Sequence, residues 1–252
     1  MKRIAAIYDI HGNLPALEAV LAGIRDIGVD AIVMGGDIVP GPMSRESLDL
    51  LLGLDIPVHS IRGNGEAEVL AHRAGVTTGR VPAAFLDVIR WSADQLSPEH
   101  ETVLAGWPAT LRLDIDGPGE VLFCHATPAS DVAIFTRLTP ESALLPAFAD
   151  AGASTVICGH THMQFDRRIG DVRVVNAGSV GMPYGEPGAY WLLLGSDVEL
   201  RRTPYDLDAA AERIGNTTYP QADSFVANDL RQPRSEAVML ELFGRVDLAA
   251  RP

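Results

Sequence analysis

A chain of 252 residues, 47% of them hydrophobic, is long enough to bury a full core as one large α/β domain, here read as 1–252. The formal net charge of −13 would repel a phosphate backbone, so wrapping around bulk DNA or RNA is disfavoured, while a small phosphorylated substrate is compatible if metal ions supply positive charge. No apolar run approaches the roughly 18 residues of a membrane span, and Tyr8, Asp9 and His11 interrupt the first apolar stretch too early for a signal peptide, which predicts a cytoplasmic protein with no membrane partner.

The chain opens with three short apolar runs, "RIAAIY", "DAIVMGG" and "PVHSIRG". They are separated by "LPALEAVLAGIRDIG" and "SRESLDLLLGL", whose apolar residues recur at helical spacing. That is a β-α-β-α-β start with a parallel sheet, in which chemistry-bearing side chains project from the carboxyl ends of strands. Each run ends in a polar, glycine-rich cluster: "YDIHGN", "GGDIVPGP" and "RGNGE". Asn13 is placed to cap the first helix.

Residues 66–109 read as a helical insertion, with Ser97 as N-cap and Pro98 at the first helical position of one helix. Phe85, Val88 and Trp91 share a helical spacing expected of core residues. The period then changes. "TLRLDI", "EVLFCH", "STVICGH", "RVVNAG", "AYWLLL" and "DVELRR" read as strands, with the helix "TPESALLPAFADAG" between the second and third. Two sheets packed face to face with helices outside accommodate that order. Residues 204–252 read as a helical appendage with two helices, "YDLDAAAERI" and "SEAVMLELFGRV", joined by "GNTTYPQADSF". Neither its role nor the oligomeric state is readable from composition. Cys124 and Cys158 lie within or at the end of β-like runs and read as buried thiols.

Seven metal-competent side chains fall at the ends of predicted strands: Asp9, His11, Asp37, Asn64, His125, His160 and His162. Four of them are among only seven histidines, whereas His59, His72 and His100 lie outside the clusters and read as surface or core residues. Imidazole and carboxylate donors together suit Mn, Fe, Zn, Co or Ni better than Ca or Mg. Seven ligands are too many for one ion and about right for two if a carboxylate bridges, and Asp37 in its glycine-flanked turn is the natural bridge. Two ions roughly 3.5–4 Å apart can clamp a phosphoryl group and bring a shared water to a pKa near neutrality, which supplies a hydroxide nucleophile.

"DIHGN", "GGDIVPGP", "RGNGE", "CHATP", "CGHTH" and "NAGSVGMP" stand in the order and approximate spacing of the calcineurin-like metallophosphoesterases. The chain resembles especially their small bacterial phosphodiesterase branch and its diadenosine-tetraphosphatase-like relatives. The resemblance implies a four-layer α/β/β/α sandwich. It implies Asp9, His11 and His162 at a first metal, Asn64, His125 and His160 at a second, Asp37 bridging them, and Mn²⁺ as the first choice of cation. His125 and Asn64 would position the second ion for catalysis.

One position departs from the family pattern. The family places a histidine after the asparagine of "GNH[DE]", often assigned to protonating the leaving group, where this chain has Gly65. That shifts the expected substrate from alkyl phosphomonoesters toward phosphodiesters and nucleotide anhydrides, whose leaving groups need less help. Glu66, which would orient that histidine, is left to cap the next helix, hold a water or serve catalysis. Arg62 and Ser179, the latter in the glycine-rich "GSVGMP" turn, are candidate substrate contacts, and Met182 and Tyr184 are candidate neighbours of a nucleobase. The rival reading is a scaffold that keeps the fold without useful catalysis, against which the complete ligand set counts.

Overall fold

The uninterrupted apolar runs near the N-terminus are buried at every position, as strands covered on both faces must be. The computed structural model describes residues 3–248. Among them the strands are β1 (Ile4–Ile7), β2 (Ala31–Met34), β3 (Val58–Ser60), β4 (Thr110–Ile115), β5 (Gly119–Cys124), β6 (Thr155–Cys158), β7 (Phe165–Ile169), β8 (Val172–Asn176), β9 (Ala189–Leu194) and β10 (Val198–Thr203). The helices are α1 (Leu14–Ile27), α2 (Ser44–Leu52), α3 (Asn64–Arg73), α4 (Leu86–Gln95), α5 (Pro98–Gly106), α6 (Glu141–Phe148), α7 (Leu207–Gly215), α8 (Ala222–Phe225) and α9 (Glu236–Gly244).

The strands form two mixed five-stranded sheets, ordered β10-β9-β1-β2-β3 and β4-β5-β6-β8-β7. In the first, β1, β2 and β3 run parallel, and β9 and β10 extend the sheet antiparallel. Alternation along β1 divides its side chains between two cores. Ile4 and Ala6 face Val121, Phe123 and Ile157 of the second sheet, whereas Ala5 and Ile7 face Leu17, Val20 and Leu48 of α1 and α2. On the far side of the second sheet, Leu122, Val156 and Val174 pack on Leu144 and Phe148 of α6. The layers are therefore α/β/β/α, as the family resemblance implied. Cys124 and Cys158 are unpaired thiols in that outer core, and burial raises the pKa of both.

Three features were not in the sequence reading. β7 was missed because its middle, Asp166-Arg167-Arg168, is charged. It is a sheet edge, where Asp166 pairs with Arg173 of β8 at 2.6 Å and only the end residues Phe165 and Ile169 are buried. The helix after β3 begins at Asn64 rather than 66, with Gly63 at its N-cap. The joint between the appendage helices is itself helical, α8 running into a wide π-type turn over Val226–Arg231. Val88, Ala210, Ile214, Tyr219 and Phe225 form a fourth cluster that clamps the appendage onto α4.

Candidate metal centre

The strand-end clusters named from the sequence turn corners at the same end of the sandwich, and three of those corners share an unusual backbone. Asp9, His11, Asp37, His160 and His162 adopt positive φ, between 46° and 67°, and they are the only non-glycine residues to do so among those described. A side chain in the left-handed region is strained, and such residues persist where the surroundings over-determine them, typically at functional sites. Here the corners aim five donor side chains at one point.

The donors fall into two groups, Asp9, His11 and His162, and Asp37, His125 and His160, each with ligand atoms within 4.8 Å of one another. Asp37 faces both, its Oδ2 lying 3.5 Å from His125 Nε2 and 3.8 Å from His11 Nε2. Asp9 Oδ1 lies 3.5 Å from His162 Nε2 and 3.8 Å from His125 Nε2. Asp9 is fully buried, yet Oδ1 has no hydrogen-bond partner among the described residues.

Backbone carbonyls decide which imidazole nitrogens are available. Pro40 O, Gly35 O and Met182 O lie 3.2, 2.9 and 2.7 Å from the Nδ1 atoms of His11, His125 and His162. A carbonyl can only accept, so each Nδ1 carries a proton and each neutral ring offers a bare Nε2 to the centre. His11 Nε2 and His162 Nε2 then meet lone pair to lone pair at 3.2 Å, and the Asn64 amide oxygen meets His125 Nε2 at 3.0 Å. Turned over, the Asn64 amide would instead donate to His160 Nδ1 at 2.9 Å and His125 Nε2 at 3.0 Å. With the rings neutral, acceptors converge on acceptors beside a carboxylate oxygen with no hydrogen-bond partner, which is what a divalent cation requires, and metal binding would release any second proton these rings hold.

The electrostatics of the ion-free protein agree. Burial opposes charge on every group, but Asp37 and Asp9 hold His125 protonated up to a pKa of about 10, and Asp9 raises His162 in the same way. The carboxylates are held low against burial, Asp37 by His125 and Asp9 by His162. His160 is pushed down to about 4 by burial and by His125, and burial lowers His11. Without cations, protons on two imidazoles supply part of the positive charge the carboxylates demand.

Two residues singled out from the sequence have their polar atoms committed elsewhere. Glu66 is completely buried, and its carboxylate accepts from the N–H groups of Asp37, Ile38 and Gly63, each at 2.8 Å, and of Val39 at 3.2 Å. It locks the Asp37 corner to the start of α3 and has no face left for a substrate. Ser179 is equally buried, donating to Asp9 O and accepting from Met182 N at 2.7 Å, so it braces the centre from beneath rather than contacting substrate. Arg62 donates its backbone N–H to Pro108 O at 2.8 Å and is not part of the cavity wall. Asn13 caps α1, accepting from Ala16 N at 3.2 Å. His100 pairs with Asp49 at 2.8 Å, away from the centre.

Gly65 marks more than a lost side chain. Its N–H donates to Asp37 Oδ1 at 2.6 Å, and a Cβ there would overlap the carbonyl oxygen of Val39 and sit 2.9 Å from Pro40 Cδ. The "IVP" segment fills the space a larger residue would need.

The donors open into a cavity of about 630 Å³. Arg80, Phe85 and Val88 from the insertion form one wall, and Tyr219, Phe225 and Asp229 from the appendage form another, with Tyr184 and Phe243 between. Phe85, expected in the core, is 50% exposed at the cavity instead, because the short 3₁₀ turn over Ala83–Phe85 breaks its helical phase with Val88. A second groove of about 430 Å³, lined by Leu51, Leu54, Trp107 and Leu111, holds none of the candidate ligands. No described helix is long and apolar enough to cross a membrane.

Comparison with known proteins bears on this arrangement. An uncharacterized protein from Methanocaldococcus jannaschii is 28% identical over 243 residues, covering 86% of this chain and 94% of its own. The crystal structure of a metallophosphoesterase from Sphaerobacter thermophilus, 27% identical, superposes with a TM-score of 0.69 over 89% of this chain and 97% of its own. A hypothetical protein from Pyrococcus horikoshii, 20% identical, shares the fold with a TM-score of 0.77 over 93% of this chain and all of its own. The model of the calcineurin-like phosphoesterase superfamily domain matches residues 1–197, every candidate ligand among them, and the chain belongs to that superfamily.

Proposed function

We propose that this chain is a dinuclear metal-dependent phosphohydrolase acting on phosphodiesters or nucleotide phosphoanhydrides. The observation that carries the reading is the convergence of imidazole Nε2 atoms on each other and on the buried Asp9 Oδ1, which has no hydrogen-bond partner among the described residues. Asp9, His11 and His162 would hold one divalent ion and Asn64, His125 and His160 the other, with Asp37 facing both. Bound there, two such ions would neutralise charge developing on the phosphoryl oxygens and bring a water near a neutral pKa. Mn²⁺ is the first choice, with Fe, Zn, Ni and Co compatible with the same donors.

The chain's own groups supply orientation. The three carbonyls fix the imidazole tautomers, Glu66 fixes the Asp37 corner, and the Gly65 N–H holds one Asp37 oxygen so that the other stays free. With no side chain at position 65, no group there can protonate a departing alkoxide. Leaving groups that carry their own negative charge well are therefore favoured. The buried, unpaired thiols fit a reducing compartment, in keeping with a cytoplasmic enzyme.

The test is hydrolysis of bis-p-nitrophenyl phosphate and p-nitrophenyl phosphate side by side, after chelation and Mn²⁺ readdition, with Asp37→Asn as control. Faster diester turnover that the control abolishes supports the reading. Preference for the monoester would overturn the substrate class, and no metal-dependent turnover of either would favour the scaffold.

A further inference from the structure

The cavity above the metal centre is electrically divided. Its floor is built for an anion, yet its appendage wall presents a carboxylate. Asp229 sits on the π-type turn Val226–Arg231, in the cavity wall, and among the described residues it has neither a hydrogen bond nor an ion pair. Insertions of this kind in helices recur at functional sites. Its charge is felt by His162 on the floor, by the phenols of Tyr184 and Tyr219, and by Arg234. Arg234 also lines the cavity, and it too makes no ion pair among the described residues. The opposite wall differs, for there Arg80 is tied to Glu68 at 2.7 Å and to Asp131 at 3.5 Å.

A carboxylate facing a phosphate-binding floor repels a second phosphate. What lies against Asp229 must not be anionic and must bring hydrogen-bond donors, and what lies against Arg234 must bring acceptors. The surroundings of that pair are aromatic. Tyr184 stacks on the His162 ring with centroids 5.6 Å apart and meets Phe243 edge-on at 6.1 Å, and the half-exposed Phe85 stands at the same cavity. Rings lining a cavity that also holds a donor and an acceptor without ion pairs are the chemistry of base recognition. Guanine presents N1–H and N2–H₂ as donors and O6 and N7 as acceptors on adjoining edges, which suits a carboxylate and a guanidinium lining the same cavity. A cationic alcohol such as choline would also suit rings and a carboxylate, but Arg234 opposes it.

We propose that the C-terminal appendage forms a purine-nucleoside subsite over the metal centre, with Asp229 and Arg234 reading a guanine-like edge between the aromatic walls. The proposal rests on the phosphohydrolase reading and narrows it: the phosphoryl group on the floor is attached to a nucleoside.

Binding tests it independently of turnover. Calorimetry on the full Mn²⁺-loaded chain would compare GMP, AMP, ribose 5-phosphate and phosphocholine, each with wild type and with the near-isosteric Asp229→Asn. The expected result is that GMP binds at least tenfold more tightly than ribose 5-phosphate, and that this ratio falls at least fivefold in Asp229→Asn. A merely structural role for Asp229 would weaken all four ligands alike and leave the ratio unchanged. Equal affinity for GMP and ribose 5-phosphate, an unchanged ratio in the variant, or tighter phosphocholine binding would overturn the subsite. AMP equal to GMP would overturn the guanine preference. Hydrolysis of bis-p-nitrophenyl phosphate judges the enzyme reading separately, since that ester carries no nucleoside.

Discussion

The floor and the wall of the cavity are built on opposite principles. The floor is over-determined: five strained residues in three corners, three carbonyls that each fix a tautomer, and one buried glutamate accepting from four backbone N–H groups. The wall is under-committed, with Phe85 half exposed and Asp229 and Arg234 left without ion pairs among the described residues. Rigid geometry suits a reaction whose charge appears at fixed atoms, whereas unpaired polar groups suit recognition of a partner that arrives with its own donors and acceptors. Changes to the floor should therefore cost chemistry and stability together, and changes to the wall should cost selectivity alone.

The largest expected effect is on the floor. Asp37→Asn removes the carboxylate that faces both donor groups, and metal-dependent turnover of bis-p-nitrophenyl phosphate should fall about 10³-fold or more. Titration calorimetry with Mn²⁺ should show fewer tight sites per chain, and two undiminished sites would break the assignment of Asp37 to both groups. Glu66→Ala comes next although it touches no substrate. It strands four N–H groups in a fully buried place, which costs roughly 2–4 kcal/mol, or roughly 5–15 °C in melting temperature. Loosening of the Asp37 corner should also weaken Mn²⁺ about 10- to 100-fold. A destabilised variant with unchanged Mn²⁺ affinity would make Glu66 a purely structural residue.

The floor was legible in the sequence and the wall was not, for a physical reason. A donor at the end of a strand is a local pattern: "DIHGN", "GGD" and "GHTH" each combine an apolar run, a tight turn and ligand-type side chains within a few residues. The wall depends on which helix face of a distant segment lands over the site. Nothing near Asp229 in the chain announces that the π-type turn points it at a centre made of residues 9 to 162. Even on the floor, the sequence could name the donors but not their supports. His11 and His162 are 151 residues apart, and the carbonyls that set their tautomers carry no side-chain signature. Ser179 looked like a substrate contact because its turn is glycine-rich, yet burial commits its hydroxyl to Asp9 O. β7 escaped because charged edge residues hide the alternation that marks a strand.

Two further floor effects are smaller and sharper. Gly65→Ala should be destabilising by about 1–3 kcal/mol, since the added carbon overlaps the Val39 carbonyl and something must shift. A melting temperature unchanged from wild type would show that the "IVP" segment yields easily and that the missing histidine is a loss rather than an exclusion. The ion-free protein should also carry a pH signature. His125, raised by Asp37 and Asp9 against burial from 6.5 to about 10, contributes stability that is complete below 6.5 and is lost as pH rises through about 10. Melting curves of the chelated protein should fall across that window, and saturating Mn²⁺ should flatten the fall, because cations then supply the charge that protons supplied. Equal slopes with and without Mn²⁺ would mean that His125 is not a ligand.

The smallest expected effect belongs to the wall. Phe85 keeps half its surface in water, so Phe85→Ala removes little buried area and should change the melting temperature by less than about 2 °C. If the ring is a platform for a base, its loss should raise KM for a nucleoside 5′-p-nitrophenyl phosphate about 5- to 20-fold, the worth of one stacked ring. KM for bis-p-nitrophenyl phosphate, whose phenol can also lie on the ring, should rise less. The informative quantity is the ratio of the two. A ratio unchanged by Phe85→Ala would make the insertion wall a passive rim and leave discrimination entirely to the appendage. A ratio that falls would mean that both additions to the sandwich, one inserted after β3 and one following β10, recognise the same part of the substrate from opposite sides.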